Sequence, residues 1–324
     1  MIYFHVGFPK SGSTTLQKKL FDKCDQINFL GQYPVSNIGL DSEYIKTSTH
    51  DASGEAVLSY FHESISHDSE IAFKKKFQEG VFDLSSVYKN NKVNVLSNER
   101  MASNLFSFPD QGVKARRVKE CFDDSKIIIV IRNQFDIIKS QYRDHPFDPR
   151  SFNWKRRSTD IDKWVEIDQK NPNGFLASIN YFDLLNYYVD LFGCENICVL
   201  LFEDMIHDLV GFSSKIGRFL DIGSEEVHRL LAGHHENSGV SAGLNKYRHY
   251  KNLLINILPD DMRNNYFLKS IDVKLMKRFR GGQKMAVDFS SDTIDFISGF
   301  YSEGNLGLFK KFGLEVEKYR YPGF

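Results

Sequence analysis

The chain is poor in the features that usually assign a protein quickly. Only four cysteines, Cys24, Cys121, Cys194 and Cys198, occur in 324 residues, and none forms a CxxC pair. That excludes a disulfide framework and a zinc ribbon, and it predicts buried, reduced thiols. Net charge is also missing: 42 Lys and Arg balance 42 Asp and Glu. No global field draws the chain to nucleic acid or to a membrane surface, so any anion site is built locally. No apolar stretch approaches the roughly 20 residues of a membrane span. A secretory leader needs about seven or more uninterrupted apolar residues, and Pro9 and Lys10 break the first apolar run. These absences predict a cytoplasmic protein with no stable membrane anchor and no nucleic-acid partner. Internal repeats and low-complexity tracts are absent as well.

What is present is 41% apolar residues, ample for a core, in an alternating pattern. IYFHV at 2–6 is a short run of strand-favouring residues, ended by the turn chemistry of Gly7 to Gly12. From Ser13 onward Leu16, Leu20, Phe21 and Cys24 recur at helical spacing, with Ser13, Thr14 or Thr15 available to cap the helix start. VNVLS at 93–97, KIIIVI at 126–131 and ICVLLF at 197–202 are compact apolar runs suited to strands buried on both faces of a parallel sheet. Tyr181, Leu184, Leu185, Tyr188 and Phe192 mark a helix closed by Gly193. Strands alternating with helices predict an α/β fold: a three-layer core with a central parallel sheet flanked by helices, followed by a helical C-terminal half after about residue 203.

The loop Gly7 to Thr15, GFPKSGSTT, nearly spells a phosphate-binding loop. A strand, a glycine turn and a helix start aim several amides and a helix dipole at one point. Nucleoside triphosphate enzymes follow the second glycine with lysine and then a magnesium-binding hydroxyl. Here Ser13 stands in that lysine's place, and Lys10 lies inside the turn. A lysine there can touch both a 5′-phosphate and the bridging oxygen of a transferable group, with no metal required. The plain structural alternative is a turn and nothing more. A second feature argues against it: the run at 126–131 ends in Arg132, where many triphosphate enzymes carry a magnesium-holding aspartate. Ser140 follows about two turns into the next helix. A fixed cation with a hydroxyl suits a second phosphate.

Together, the two motifs resemble those of sulfotransferases that use 3′-phosphoadenosine 5′-phosphosulfate (PAPS). The resemblance implies a P-loop-like fold in which Lys10, Ser11, Gly12, Ser13, Thr14 and Thr15 bind the 5′-phosphosulfate and Arg132 and Ser140 bind the 3′-phosphate. More weakly, NYFDLLNYYVDLFGCENICVLLFEDM is similar to the helix, strand and acidic turn of bacterial and carbohydrate-directed members. The expectation is a single domain over 1–324, in which the polar stretch at 145–175, carrying three prolines and interrupting the alternation, reads as a lid or insertion. The RKGxxGDWK signature of the cytosolic small-molecule branch is missing. Either Arg278, Arg280 and Gly281 or Lys246 and Arg248 are available to replace its donor contacts, against the alternative of a solvated basic surface.

Transfer to a hydroxyl or amine needs a general base. Glu99 lies just beyond VNVLS, on the side of the sheet where α/β folds bind ligands, and it matches the position of the acidic base in carbohydrate-type relatives. Pairing with Arg100 or capping a helix is its structural alternative. His5 reads as a core residue, while His145, His234 and His235 fall in loops. Lys155, Arg156 and Arg157 would draw an anionic acceptor or form a solvated face; Trp154 and Trp164 would stack on a sugar or pack. The expected activity is sulfuryl transfer from PAPS to a small-molecule or glycan acceptor, with Lys10 and Glu99 catalytic. The rival readings are a small-metabolite kinase and a silent nucleotide-binding protein.

Overall fold

The computed structural model describes residues 1–32, 61–66, 68–80, 84, 87–99, 101–102, 110–144, 159–233 and 285–324, with single positions at 243, 247, 250 and 275. Five strands, β1 (Ile2–Gly7), β2 (Ile27–Gln32), β3 (Val93–Ser97), β4 (Lys126–Ile131) and β5 (Ile197–Leu201), pair in the order β2-β3-β1-β4-β5. Every pairing is parallel, so each connection is a crossover, and helices cover both faces.

β4 shows why the sequence folds this way. Ile127 to Ile131 are fully shielded from solvent. Ile127, Ile129 and Ile131 join a cluster with Phe4, Val6 and Ile137. Ile128 and Val130 join another with Leu16, Leu20 and Phe212. Successive side chains point to opposite faces, so one uniformly apolar run feeds two cores and the layers become three. Each such side chain contributes about 1.5–3 kcal/mol when fully buried.

Some expectations need correction. β2, INFLGQ, is not visible as an apolar run because Asn28, Gly31 and Gln32 interrupt it. Asn28 is buried nonetheless, donating to Val87 O at 2.9 Å and Asn94 Oδ1 at 2.7 Å. β5 stops at Leu201, and Phe202 opens a helix, Phe202–His207. The cysteines divide: Cys24 and Cys198 are buried, Cys121 is half-buried and Cys194 is exposed. Described segments after β5 are helical, at Phe202–His207, Leu209–Leu220, Ser224–Leu231 and Ser291–Phe312. None of the described helices is long and apolar enough to cross a membrane.

The sheet order places β1 centrally, with the carboxyl ends of β3 and β4 on either side. Ser97 pairs with His5 and Val130 with Gly7. Glu99 and Gly7 each stand two residues past the first pair, and Arg132 stands two past Val130. The register therefore brings the loop, Glu99 and Arg132 to one edge, the usual ligand side of an open α/β sheet.

Candidate active site

The loop after β1 is a strained turn with free donors. Lys10 and Gly12 both have positive φ, 69° and 81°. At Lys10, a residue with a Cβ, this costs about 1–2 kcal/mol. Glycine suits position 12, because its φ is one that side-chain-bearing residues rarely adopt and a Cβ there would crowd Met205 Cε and lie 3.1 Å from the Phe202 ring. Within the loop Ser11 N–H donates to Phe8 O at 3.3 Å and Thr15 N–H to Gly12 O at 2.9 Å. Among the described residues the amides of Gly12, Ser13 and Thr14 have no backbone acceptor. Ser11 Oγ is buried without a partner among the described residues. These groups fit an anion that accepts several hydrogen bonds.

The hydroxyls do not cap the helix as the spacing suggests. Gly12 occupies the cap position, and no side chain accepts from the first turn. Ser13 Oγ instead lies 3.3 Å from Phe8 O, to which it donates, and it also hydrogen-bonds Glu99. One hydroxyl proton serves either partner. The helix then widens into a π segment, Leu16–Phe21, marked by the Asp22 N–H to Gln17 O bond at 3.0 Å. Gln17 is thereby turned into the sheet, where Nε2 donates to Ser97 Oγ at 2.8 Å, and His5 Nδ1 meets the same oxygen at 2.7 Å. His5 is a core residue as expected but only half-satisfied: Nε2 is buried without a partner among the described residues. Burial pushes its pKa down to about 3, so the ring is neutral.

Glu99 is half-buried at the end of β3. Withdrawal from water pushes its carboxyl up to about 7, while the charge of Lys10 and the Ser13 hydrogen bond pull the other way without cancelling it. Asn98 beside it is fixed by its N–H to His5 O at 3.0 Å and by its amide against His62 Nδ1 at 3.1 Å. Lys10 Nζ forms an ion pair with Asp144.

The second motif is built differently. Arg132 Nη1 donates to Lys10 O at 2.7 Å, and its guanidinium lies over the Phe202 ring at 4.6 Å. Its grip on the carbonyl supports the strained turn. Behind it Glu203 accepts the Asn133 N–H at 2.8 Å and the Tyr321 hydroxyl at 3.0 Å. Asn133 Oδ1 accepts from Phe135 N–H at 2.9 Å, opening the helix Gln134–Asp144. Ser140 is half-buried on that helix, with no side-chain partner among the described residues, and shares a face with Asp144 one turn on.

The structure thus brings Lys10, Ser13, Glu99, Arg132 and Asp144 together. Arg100, His145, Trp154, Lys155, Arg156, Arg157, His234, His235, Lys246, Arg248, Arg278, Arg280 and Gly281 lie outside the described residues. Trp164, on the helix Ile161–Asp168, is buried edge-on to Phe175 with centroids 6.0 Å apart, so it packs. Sequence reasoning missed Asp144 and Glu203; the signals were an acid four residues after Ser140 and the acidic turn after β5.

A family model described as sulfotransferase domain matches residues 3–236, which include both motifs and Glu99. The chain belongs to the sulfotransferase family. A sulfotransferase from Alicyclobacillus acidocaldarius shares 14% identity and a TM-score of 0.52, with 98% of each chain covered, and so shows the same fold. A mouse sulfotransferase complexed with PAP shares 16% identity at a TM-score of 0.43, covering 94% of this sulfotransferase chain and 83% of its own. Comparison with curated proteins finds no match. No cluster of metal-ligating side chains occurs among the described residues.

Proposed function

We propose that this sulfotransferase moves a sulfuryl group from PAPS to a hydroxyl or amine, with a carbohydrate as the leading acceptor class. The observation that carries the reading is the placement of Glu99. It stands two residues past Ser97, at the sheet edge where Gly7 begins the anion-binding loop, and burial pushes its carboxyl up to about 7 against the opposing pull of Lys10 and the Ser13 hydroxyl. A base poised near neutral pH and adjacent to the donor loop suits removal of a proton from an acceptor attacking that donor.

In this mechanism the free amides of Gly12, Ser13 and Thr14 hold the 5′-phosphosulfate in line. The acceptor oxygen or nitrogen forms a bond to sulfur as the bond from sulfur to the bridging oxygen breaks. Glu99 takes the acceptor's proton, and Lys10 offsets the charge left on the departing phosphate. Arg132 and Ser140 take the 3′-phosphate; Arg132 keeps donors besides the Nη1 that holds Lys10 O. The carbohydrate leaning rests on an acidic residue at the position of Glu99.

Incubation with radiolabelled PAPS and a panel of glycans, metabolites and lipids tests the reaction. Label on a glycan supports the full reading, and label on a lipid or metabolite overturns the acceptor class alone. No transfer, together with no binding of PAP, overturns the donor.

A further inference from the structure

Lys10 interacts with two carboxylates. It is ion-paired with Asp144, each side chain about one-quarter exposed (23% and 23%), and it also acts on Glu99. A pair this shielded is screened less than one on an open surface. Asp144 is the last residue of the helix Gln134–Asp144. An acid there opposes the helix dipole, whose carboxyl end favours cations. Helix stability therefore does not account for its presence, and its ion pair with Lys10 gives it one role. A carboxylate beside an anion site is also a competitor: the anion and Asp144 need the same ammonium.

We propose that Asp144 is a positioning residue for Lys10, holding the ammonium until the donor's anion takes it, so that Asp144 sets how tightly the donor and its nucleotide product are held. The proposal rests on the reading of Lys10 as a donor-binding residue. Asp144 weakens binding of both nucleotides by the strength of the pair that must break. In return, it keeps Lys10 from settling on Glu99 and re-forms the pair as the product leaves.

The test is a double-mutant cycle on the affinity for PAP, measured by calorimetry for the full chain, its Lys10→Ala and Asp144→Asn variants and the double variant. Asp144→Asn should bind PAP about two- to fivefold more tightly, with slower release. The gain should vanish in the Lys10→Ala background, and Asp144→Glu should behave like the unaltered chain. Asp144→Ser serves if the amide misfolds. Unchanged affinity in Asp144→Asn overturns the proposal. So does equal tightening with and without Lys10, which would make Asp144 a general like charge. Weaker binding with a lowered melting temperature would make it a structural residue and also overturn it. Loss of PAP affinity in Lys10→Ala with no effect of Asp144→Asn refutes this proposal alone. Failure of the unaltered chain to bind PAP refutes the donor reading as well.

Discussion

The two strand-to-helix junctions at the sheet edge solve the same problem by opposite means. After β1 the backbone is unsatisfied: two positive φ angles open the turn, and the amides of Gly12, Ser13 and Thr14 find no backbone acceptor among the described residues. After β4 three backbone amides are paired at the corresponding place. Asn133 N–H goes to Glu203, Phe135 N–H to the Asn133 side chain, and Ile137 N–H to Asn133 O at 2.9 Å. The tail closes over it, with Asn133 Nδ2 donating to Tyr319 O and Arg320 O at 2.9 Å each. A junction with free amides can hold an anion by its main chain, where substitution has little purchase. A junction whose amides are partly taken up by Glu203 and the Asn133 side chain leans more on side chains, Arg132 and Ser140, and single substitutions there should register on nucleotide binding.

The largest expected effect lies beside the first junction. Glu99→Gln should lower turnover by about 10² to 10⁴ while leaving PAP affinity nearly intact, since the amide keeps the shape but takes no proton. Turnover of the unaltered enzyme should rise with pH through about 7, as Glu99 loses its proton. Stability should move oppositely. Burial disfavours the carboxylate only in the folded chain, so its folded pKa exceeds the ordinary 4.5, and stability is lost as pH rises from there through about 7. Denaturant titrations of Glu99→Gln should lack that component.

Lys10→Ala comes next, with turnover falling about 10² to 10³ and PAP affinity falling too, because the same cation meets the donor and the leaving group. Arg132 and Ser140 should then separate. Ser140→Ala should weaken PAP about three- to tenfold, the loss of one hydrogen bond, and leave adenosine 5′-phosphate unchanged. Arg132→Gln should weaken both nucleotides, since Arg132 also grips Lys10 O. If Arg132→Gln spares adenosine 5′-phosphate, the two junctions are independent and that link is wrong. The smallest effect is on stability alone: Ser97→Ala removes the oxygen shared by His5 and Gln17 and should cost about 1–3 kcal/mol in denaturant unfolding.

How much of this was legible depended on whether the signal was local. β1, β3 and β4 are apolar runs bounded by turn residues, and their meeting at one edge follows from the parallel order. β2 was illegible because its buried Asn28 donates its amide to Asn94 and Val87, partners far along the chain. Lys10, Ser13, Glu99 and Arg132 announced themselves by standing at strand ends. The caps offered by Ser13, Thr14 and Thr15 show the limit: spacing reveals hydroxyls at a helix start, but only the fold shows Glu99 arriving at Ser13. The pairing of Lys10 with Asp144 crosses 134 positions by their numbering, and no local pattern encodes it.

The central claim is that the loop and the second junction together hold one 3′,5′-bisphosphorylated nucleotide. Calorimetry with PAP, adenosine 5′-phosphate and magnesium-ATP tests it most directly. The account predicts that PAP binds at least about a hundredfold more tightly than adenosine 5′-phosphate, as a second charge-assisted phosphate contact would give, and that no metal is needed. Equal affinities for the two adenosine nucleotides, or tighter magnesium-dependent binding of ATP, would contradict it.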